Sequence, residues 1–552
     1  MWRLLFFLVA VISESKAADD DLIVQTPNGK VQGTTIKTES GAEFYAWRHI
    51  PFAKPPLGEL RFQPPVDPEP WTDILDGTKD SYACLNVGSY EGDPVPTYGF
   101  SEDCLYVNVY SPFPANLSLN LPVMFWIYGG GFFIGTGDFS FTDPTPFLEE
   151  NVIVVTFNYR LDIFGFLSTE DTVVAGNTGL KDQLSALLWT NENIQYFGGD
   201  NTSITIFGES AGAMSVGYHL TSPLSKGKFS GAIMESGTCL LNYLTSNPRK
   251  NAIIIAKLLN DSITDDSSSE EILQVLQLAD AELLVNISLA SRIALGINFN
   301  PTMEVELNNP IHLISKPLYE ELEAGNASAV PIIIGTNSEE QLWVSSLEDA
   351  KSQGAYYDSN LNLLLPNMPL KETDSIENIT QAIKEAYVGN SSFYEDPGAL
   401  IRFLSDNTFV RPAIKHASLQ SQFSDVYFYE FSFVGSRSVH PDIPGCGHVA
   451  HAEEVPYLFN ISAKSIATEA DFLTRRRMVK LWTNFAKFKN PTPDDESMEL
   501  LQNVTWEKFD STNLQYLDIG ENLRMRYNRE VETTVFWDYL WSTYSYHPYN
   551  TF

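Results

Sequence analysis

The chain carries the sequence Phe207-Gly208-Glu209-Ser210-Ala211-Gly212 between two segments of different pattern. The β-forming run at 203–207 predicts a strand, and the spacing at 213–220 predicts a helix. A serine in the sharp turn between them is strained and exposes its hydroxyl, and the flanking glycines let neighbouring backbone pass closely. The free N–H groups of the helix N-terminus favour negative charge beside that serine. The stretch therefore predicts a nucleophile at Ser210.

Continuous apolar runs on both sides of this stretch predict further buried strands. Buried strands that alternate with helical patterns indicate an α/β fold with a large, mostly parallel central sheet flanked by helices. The continuous apolar runs lie at 121–128 and 152–157, and the series of predicted strands continues at 231–235, 330–335 and 426–431. Near the start, the turn Pro27-Asn28-Gly29 predicts an antiparallel hairpin with strands at 22–25 and 33–36.

Two stretches show helical spacing with no strand between the helices, from Ser246 to Pro310 and from Ile376 to Phe409. We interpret both as helical insertions that cap the site and wall in a pocket. For any one of these helices, a packing role alone is an equal alternative. No repeat or low-complexity tract divides the chain, so we expect a single catalytic domain at 18–552.

The N-terminus has the pattern of a secretory signal peptide. A basic start, an apolar run at 4–12 and the small residues Ser15 and Ala17 predict cleavage after Ala17, which makes residues 1–17 the leader. No later stretch reaches about 18 consecutive apolar residues, so we expect no membrane anchor. The predicted localisation is secreted, in the extracellular space.

The composition of the chain limits the classes of molecule that it can bind. Its 552 residues are 43% hydrophobic and 12% aromatic, as in a protein with a large core, and its formal charge is −35. The negative charge argues against nucleic acid or an anionic membrane surface as a partner. Glycosylation sequons fit the secretory route and lie at Asn116, Asn260, Asn286, Asn326, Asn378, Asn390, Asn460 and Asn503, with another at Asn201. The sequence leaves the oligomeric state open.

The glycine run Gly129-Gly130-Gly131 directly follows a predicted buried strand. Its backbone N–H groups can turn inward and, with the N–H after the nucleophile, they predict an oxyanion hole. The serine also needs a histidine base that follows an acid in the chain. A glycine-bearing loop after a strand offers His448 and His451, whereas His416 lies in a helical pattern and His547 lies near the terminus.

These motifs resemble those of the type-B carboxylesterase and cholinesterase family, which has the α/β-hydrolase fold. The resemblance covers nearly the whole mature length, and its long motifs lie at 197–212 and 102–109. Shorter matches lie at 158–161, 179–183 and 482–487.

By motif position, the resemblance implies roles for six residues. Ser210 is the implied nucleophile, Glu340 the acid and His451 the base. The implied oxyanion donors are Gly130, Gly131 and Ala211. The resemblance also implies a disulfide between Cys84 and Cys104, and these two cysteines are close in sequence.

Several positions stay open or depart from the family pattern. Glu339, next to the acid, is assigned to solvent or to a surface ion pair. Gln341 replaces a small residue, Asp162 stands where glycine is common, and Tyr128 stands where many members have histidine. The remaining cysteines either pair with each other or are two buried thiols; they are Cys239 and Cys446.

The resemblance implies a secreted serine carboxylesterase that hydrolyses a small-molecule ester through an acyl-enzyme, with no cofactor and no metal. One alternative is an esterase-like binding or adhesion protein, but relatives of that kind have lost the nucleophile, which this chain keeps. A second is a cholinesterase. The family's cholinesterases have a tryptophan within the first disulfide loop, and residues 85–103 contain none. The chain resembles secreted insect esterases, and its natural ester stays open.

Overall fold

The computed structural model describes residues 22–38, 41–86, 88, 96–305, 312–371, 376–461, 464–494, 498–529, 531–547, 549 and 551–552. The signal peptide predicted at 1–17 lies outside the described residues.

The fold is built on a mixed sheet of eleven strands. Its strands are β3 (Thr34–Lys37), β4 (Glu43–Pro51), β8 (Tyr106–Ser111), β9 (Leu121–Ile127), β10 (Ile153–Phe157), β11 (Gly199–Glu209), β12 (Gly231–Glu235), β13 (Ile332–Asn337), β14 (Val426–Phe431), β15 (Tyr516–Ile519) and β16 (Leu523–Arg526). The order is β16-β15-β14-β13-β12-β11-β9-β10-β8-β4-β3, and the strands from β15 to β10 pair in parallel. The outer strands at both edges pair antiparallel.

The central strands are largely apolar because helices cover both faces of the sheet. Every residue of β10, β12 and β13 is buried. The α-helices of the described residues are Thr145–Leu148, Asp162–Phe166, Thr178–Asn193, Ala211–Thr221, Pro248–Leu259, Ser269–Leu278, Ala281–Leu295, Leu318–Glu323, Leu347–Ser359, Ile376–Val388, Pro397–Ser405, Arg411–Gln420, Glu469–Phe488 and Val531–Tyr544. The predicted α/β-hydrolase architecture is confirmed.

The N-terminal hairpin forms, but its second arm differs from the prediction. Strand β1 (Ile23–Thr26) pairs with β2 (Gly29–Gln32), so the turn holds only two residues. The predicted second arm is instead β3, which pairs with β4 at the edge of the large sheet. The chain changes sheets at Gly33, where a side chain would collide with Trp47. Three short strands complete the two small sheets: β5 (Leu75–Asp76), β6 (Ala83–Cys84) and β7 (Phe100–Ser101).

Both predicted insertions are helical, but they contribute unequally to the site. The second ends in a π-helical turn, Asp406–Val410, whose Thr408 and Phe409 line the main cavity. The described residues of the first insertion line none of that cavity, although Arg292 stacks on its wall residue Phe133. Helical spacing predicted these helices, but it could not say which of them reach the site.

No single helix in the described part of the chain has the length and hydropathy to cross a membrane. Only the bent pair Ser269–Leu278 and Ala281–Leu295 passes that test, when the two are joined.

Candidate active site

Ser210 stands at the turn between β11 and the helix Ala211–Thr221, with φ 55° and ψ −121°. An L-residue rarely adopts this conformation, and here the strain turns the side chain away from the sheet. A Cβ at Gly208 or Gly212 would lie only 2.5 or 1.9 Å from the carbonyl oxygen of Ile127, so glycine is required at both positions. The quoted motif therefore folds as the sharp elbow that the sequence predicted.

Glu340 and His451 meet beside this elbow. The Glu340 carboxylate is fully buried in the turn after β13, and its Oε2 lies 2.6 Å from His451 Nδ1. The other imidazole nitrogen, Nε2, lies 3.1 Å from Glu209 Oε1. In the described residues, no hydrogen bond joins Ser210 Oγ to the imidazole. Catalytic hydrogen bonds of this kind often tighten only when substrate binds.

The glycine loop lies against the elbow. A Cβ at Gly129 would lie 3.1 Å from Ser210 Cβ, and Gly130 and Gly131 adopt φ values of 100° and 60°. Among the described residues, the N–H groups of Gly130, Gly131 and Ala211 donate no hydrogen bond to another group of the chain. Three free donors beside the serine are what an oxyanion hole requires.

Ser210, His451 and the glycine loop line one cavity of about 930 Å³. This volume lies in the usual range for small-molecule sites, and aromatic side chains form much of its wall. Phe409 packs against the imidazole with 4.4 Å between ring centroids, and the largely exposed Trp343 approaches it from another side at 6.2 Å.

Buried carboxylates control the charge on His451. Burial alone would lower the pKa of the imidazole, but the charges of Glu209 and Glu340 outweigh that effect and raise the pKa. Burial likewise raises the pKa of Glu209 and Glu454. Burial also holds the pKa of Glu235 well above its usual value. The imidazole therefore keeps its proton to a higher pH than a free histidine would.

Residues 20–537 match the model of the carboxylesterase family. The chain belongs to this family. It is accordingly a carboxylic-ester hydrolase, and its substrates are small-molecule esters.

Relatives and solved structures agree with this assignment. The chain is 34% identical to the pyrethroid hydrolase Ces2e of Rattus norvegicus, over 90% of this chain and 86% of the relative. It is 33% identical to the juvenile hormone esterase of Tribolium castaneum, over 88% of this chain and 85% of the relative. The crystal structure of the Manduca sexta juvenile hormone esterase aligns with a TM-score of 0.82 at 29% identity, over 94% and 99% of the two chains. Mammalian and insect esterases are thus similar to this carboxylesterase to nearly the same degree.

The positions that depart from the family pattern have structural explanations. Asp162 adopts φ 47°, a conformation that aspartate tolerates better than most residues, and its carboxylate pairs with Arg292 at 3.0 Å. The Tyr128 hydroxyl donates to the backbone oxygen of Tyr159. The N–H of Gln341 donates to Ser405 Oγ, and Glu340 stays buried beside it.

The sequence interpretation assigned Glu339 to solvent or to a surface ion pair, but the structure gives its carboxylate hydrogen bonds within the protein. Glu339 is half-buried, and its carboxylate accepts hydrogen bonds from the Ser338 hydroxyl and the N–H of Val449. Its own N–H donates to the carbonyl of Val449 at 3.0 Å. Glu339 therefore ties the acid loop to the histidine loop. The rival base His448 lies elsewhere, with Nε2 3.3 Å from Asp442.

Sequence reasoning missed a second residue that joins the two loops. Asn337 ends β13, and its side-chain amide donates to the carbonyl of Ala450 at 2.7 Å and to Glu454 at 2.6 Å. Its backbone N–H donates to Glu340 Oε1 at 2.7 Å. The sequence signal that could have indicated this role is the polar Asn337 at the end of a buried strand.

Three further residues of the cavity wall also escaped prediction. His440 lines the cavity and pairs with Glu453, which also lines it. Glu209 stands inside the quoted motif but received no role from the sequence. Its side chain is only 8% exposed, and it lies 3.1 Å from His451 Nε2.

The cysteines form one disulfide, between Cys84 and Cys104. Cys239 is a buried free thiol and Cys446 is a half-buried one. The sequence left open whether Cys239 and Cys446 pair with each other, and in the structure they are unpaired thiols.

Proposed function

We propose that this carboxylesterase is a secreted serine esterase with Ser210 as nucleophile, His451 as base and Glu340 as acid. The observation that carries the proposal is the strained elbow at Ser210, which lies in the same cavity as the buried His451–Glu340 pair. A strained serine beside a histidine that is oriented by a carboxylate is the arrangement of nucleophilic acyl transfer.

In the proposed mechanism, Ser210 Oγ attacks the ester carbonyl while His451 Nε2 takes the serine proton. The N–H groups of Gly130, Gly131 and Ala211 stabilise the oxyanion of the tetrahedral intermediate. His451 then donates the proton to the alcohol oxygen, and the alcohol leaves an acyl-enzyme behind. Water, deprotonated by the same imidazole, hydrolyses the acyl-enzyme to the free acid and restores the serine.

The imidazole must be neutral and must face Ser210 for this reaction. Its resting contact with Glu209 stabilises the charged form, which cannot act as a base. Ester binding would displace Nε2 toward the serine hydroxyl. Glu340 would hold the other nitrogen throughout and stabilise the imidazolium that forms.

The size and lining of the cavity favour esters with a bulky apolar acid or alcohol group as substrates. Its volume of about 930 Å³ exceeds the needs of a short ester, and its wall includes Trp126, Phe133, Tyr243, Trp343 and Phe409. The names of relatives, which include pyrethroid, juvenile hormone and cocaine esterases, support the same class for this chain.

Secretion is supported by the leader pattern at 1–17 and by the disulfide, because disulfides persist mainly in oxidising compartments. Seven candidate glycosylation sites are exposed: Asn116, Asn260, Asn286, Asn326, Asn378, Asn390 and Asn503. The amide of Asn460 instead donates to Asp143 and Thr145, so we propose that it carries no glycan.

The test is hydrolysis of 4-nitrophenyl butyrate by purified Ser210→Ala. We expect kcat to fall by at least about a thousand-fold, since removal of a nucleophile costs more than this in serine hydrolases. Ser222→Ala, which changes a buried serine at the far end of the same helix, serves as the matched control and should keep most of the activity. Equal rates for Ser210→Ala and wild type would overturn the proposal, as would organophosphate labelling of any other residue.

A further inference from the structure

The helix Ala281–Leu295 exposes apolar side chains and buries mostly polar ones. Leu283 is 46% exposed and Ile293 is 77% exposed. The buried positions of the helix are Leu284, Ser288 and Ser291. A surface helix of a globular protein normally turns its apolar stripe to the core and its polar residues to water. This helix has nearly the reverse arrangement.

The orientation of the helix is fixed by Arg292. Its guanidinium donates to Asp162 at 3.0 Å and lies 4.1 Å from the centroid of the Phe133 ring, which belongs to the wall of the main cavity. Ile293 is the next residue, about 100° further around the helix axis. A rotation that buried Ile293 would therefore break the contacts of Arg292.

The exposed face contains one of the candidate glycosylation sites. Asn286, which forms a sequon with Ser288, is exposed, as is Ala290 one turn after it. Since a helix has about 3.6 residues per turn, Leu283, Ala290 and Ile293 all lie within about 60° of Asn286 around the axis. We call these three side chains the apolar stripe. Asn286 stands within the stripe, between its first and second members.

We propose that an N-linked glycan at Asn286 covers the apolar stripe. The first sugar would lie against Leu283 and Ala290 with its C–H face, and its hydroxyl groups would point to water. The rest of the glycan would extend over Ile293, about 10 Å along the helix from Asn286. The inference rests on the secretory route of the proposed function, because N-linked glycans are added on that route.

The position of Asn286 favours this occupant over the two others that an apolar surface attracts. Exposed apolar patches commonly mark a protein interface or a membrane contact. A glycan rooted inside the stripe would prevent the close approach that a second copy of the chain or a lipid surface needs. The formal charge of −35 also opposes attachment to an anionic membrane.

A second helical sequon provides a matched control. Asn378 is exposed in the helix Ile376–Val388. The residues three and seven positions after it, Gln381 and Glu385, are exposed and polar. A glycan at Asn378 therefore stands on a polar face and covers no apolar stripe.

The test uses the whole chain with its leader, secreted from insect cells. Cleavage after glutamate releases the fragment 283–304, whose only sequon is at Asn286, and we expect mass spectrometry to find this fragment glycosylated. Asn286→Gln should raise bis-ANS fluorescence at least about two-fold, because the bare stripe binds the dye. It should also cause self-association in sedimentation velocity experiments. Asn378→Gln should match wild type in both measurements.

Two further measurements separate the stripe from general effects of a lost glycan. Asn286→Gln combined with Ile293→Glu should return both readouts to wild-type values, since a charge then replaces the most exposed apolar side chain of the stripe. If Asn286→Gln does not fold, enzymatic removal of the glycans from folded wild type provides the same comparison. Folded variants should hydrolyse 4-nitrophenyl butyrate as wild type does, because no described residue of the first insertion lines the main cavity.

The outcomes distinguish this inference from the proposed function. An unmodified Asn286 in a secreted and active chain would overturn the inference alone. So would an Asn286→Gln protein that stays monomeric with unchanged dye fluorescence, or equal effects of Asn286→Gln and Asn378→Gln. A chain that is not secreted would overturn the proposed secretory route and the inference with it.

Discussion

Glu209→Gln is expected to make the enzyme active at lower pH. The proposed mechanism requires a neutral His451, and the Glu209 carboxylate lies 3.1 Å from Nε2, the nitrogen proposed to accept the serine proton. With that carboxylate present, the pKa of His451 is raised, so the acid limb of kcat/KM lies above the usual histidine range. The glutamine has the same shape and no charge. The imidazole should then lose its proton at lower pH, and the acid limb should move down.

The size of the movement follows from the distance. Two unit charges 3.1 Å apart interact by about 1.3 kcal/mol in a medium as polar as water and by about 5 kcal/mol at an effective dielectric constant of 20. One pKa unit corresponds to about 1.4 kcal/mol. Burial raises the pKa of Glu209, so this carboxylate carries less than a full charge in the pH range of the acid limb. The smaller of the two interaction energies is therefore the better guide. We therefore expect a downward movement of about one to two pH units.

The assay is kcat/KM for 4-nitrophenyl butyrate from pH 4.5 to 9. Glu235→Gln is the matched control, because Glu235 is a buried glutamate on the neighbouring strand, in register with Glu209, and burial holds its pKa well above the usual value. The charges that raise the pKa of His451 come from Glu209, Glu340 and Glu454, so substitution of Glu235 should leave the acid limb in place. An acid limb for Glu209→Gln that coincides with wild type, or moves to higher pH, would refute the electrostatic argument.

Three further outcomes are expected. His451→Ala should lower kcat by at least about a thousand-fold, whereas His448→Ala should keep most of it; the reverse result in the same ester assay would reassign the base. Glu340→Gln should lower kcat by orders of magnitude, while Glu339→Gln, which keeps an acceptor oxygen for the histidine loop, should cost far less; a larger loss at Glu339 would contradict the assignment of the acid. Acetylthiocholine should be a poorer substrate than a neutral thioester of similar length, and a clear preference for the choline compound in side-by-side assays would contradict this.

The central fold was predictable because its strands carry a strong local signal. Runs such as 121–128 and 152–157 are apolar at nearly every position, as expected of strands covered on both faces. The edge was less predictable. Two neighbouring short strands, Gly29–Gln32 and Thr34–Lys37, belong to different sheets. Their composition does not indicate which strand each one pairs with.

Within the site, local geometry was predictable and contacts across the chain were not. The elbow depends on the close approach of Gly208 and Gly212 to one neighbouring strand, and this requirement appears directly in the motif. The role of Glu339 depends on the distant Val449, 110 positions along the chain. The roles of the adjacent carboxylates Glu339 and Glu340 cannot be assigned until the residues that each one contacts are known.

The electrostatics of the site follow from the order of the strands. Strands β11, β12 and β13 are parallel neighbours, and their last residues are Glu209, Glu235 and Asn337. Because parallel strands end at the same edge, these polar groups meet beneath the histidine loop, where Glu340 and Glu454 join them. Because these buried carboxyl groups lie close together, they cannot all be ionised at once. Protons therefore stay bound to the cluster, on the imidazole and on neighbouring carboxyl groups, to a higher pH than in isolated side chains. The topology that places Ser210 at the carboxyl edge thus also raises the pKa of His451, the base proposed to activate it.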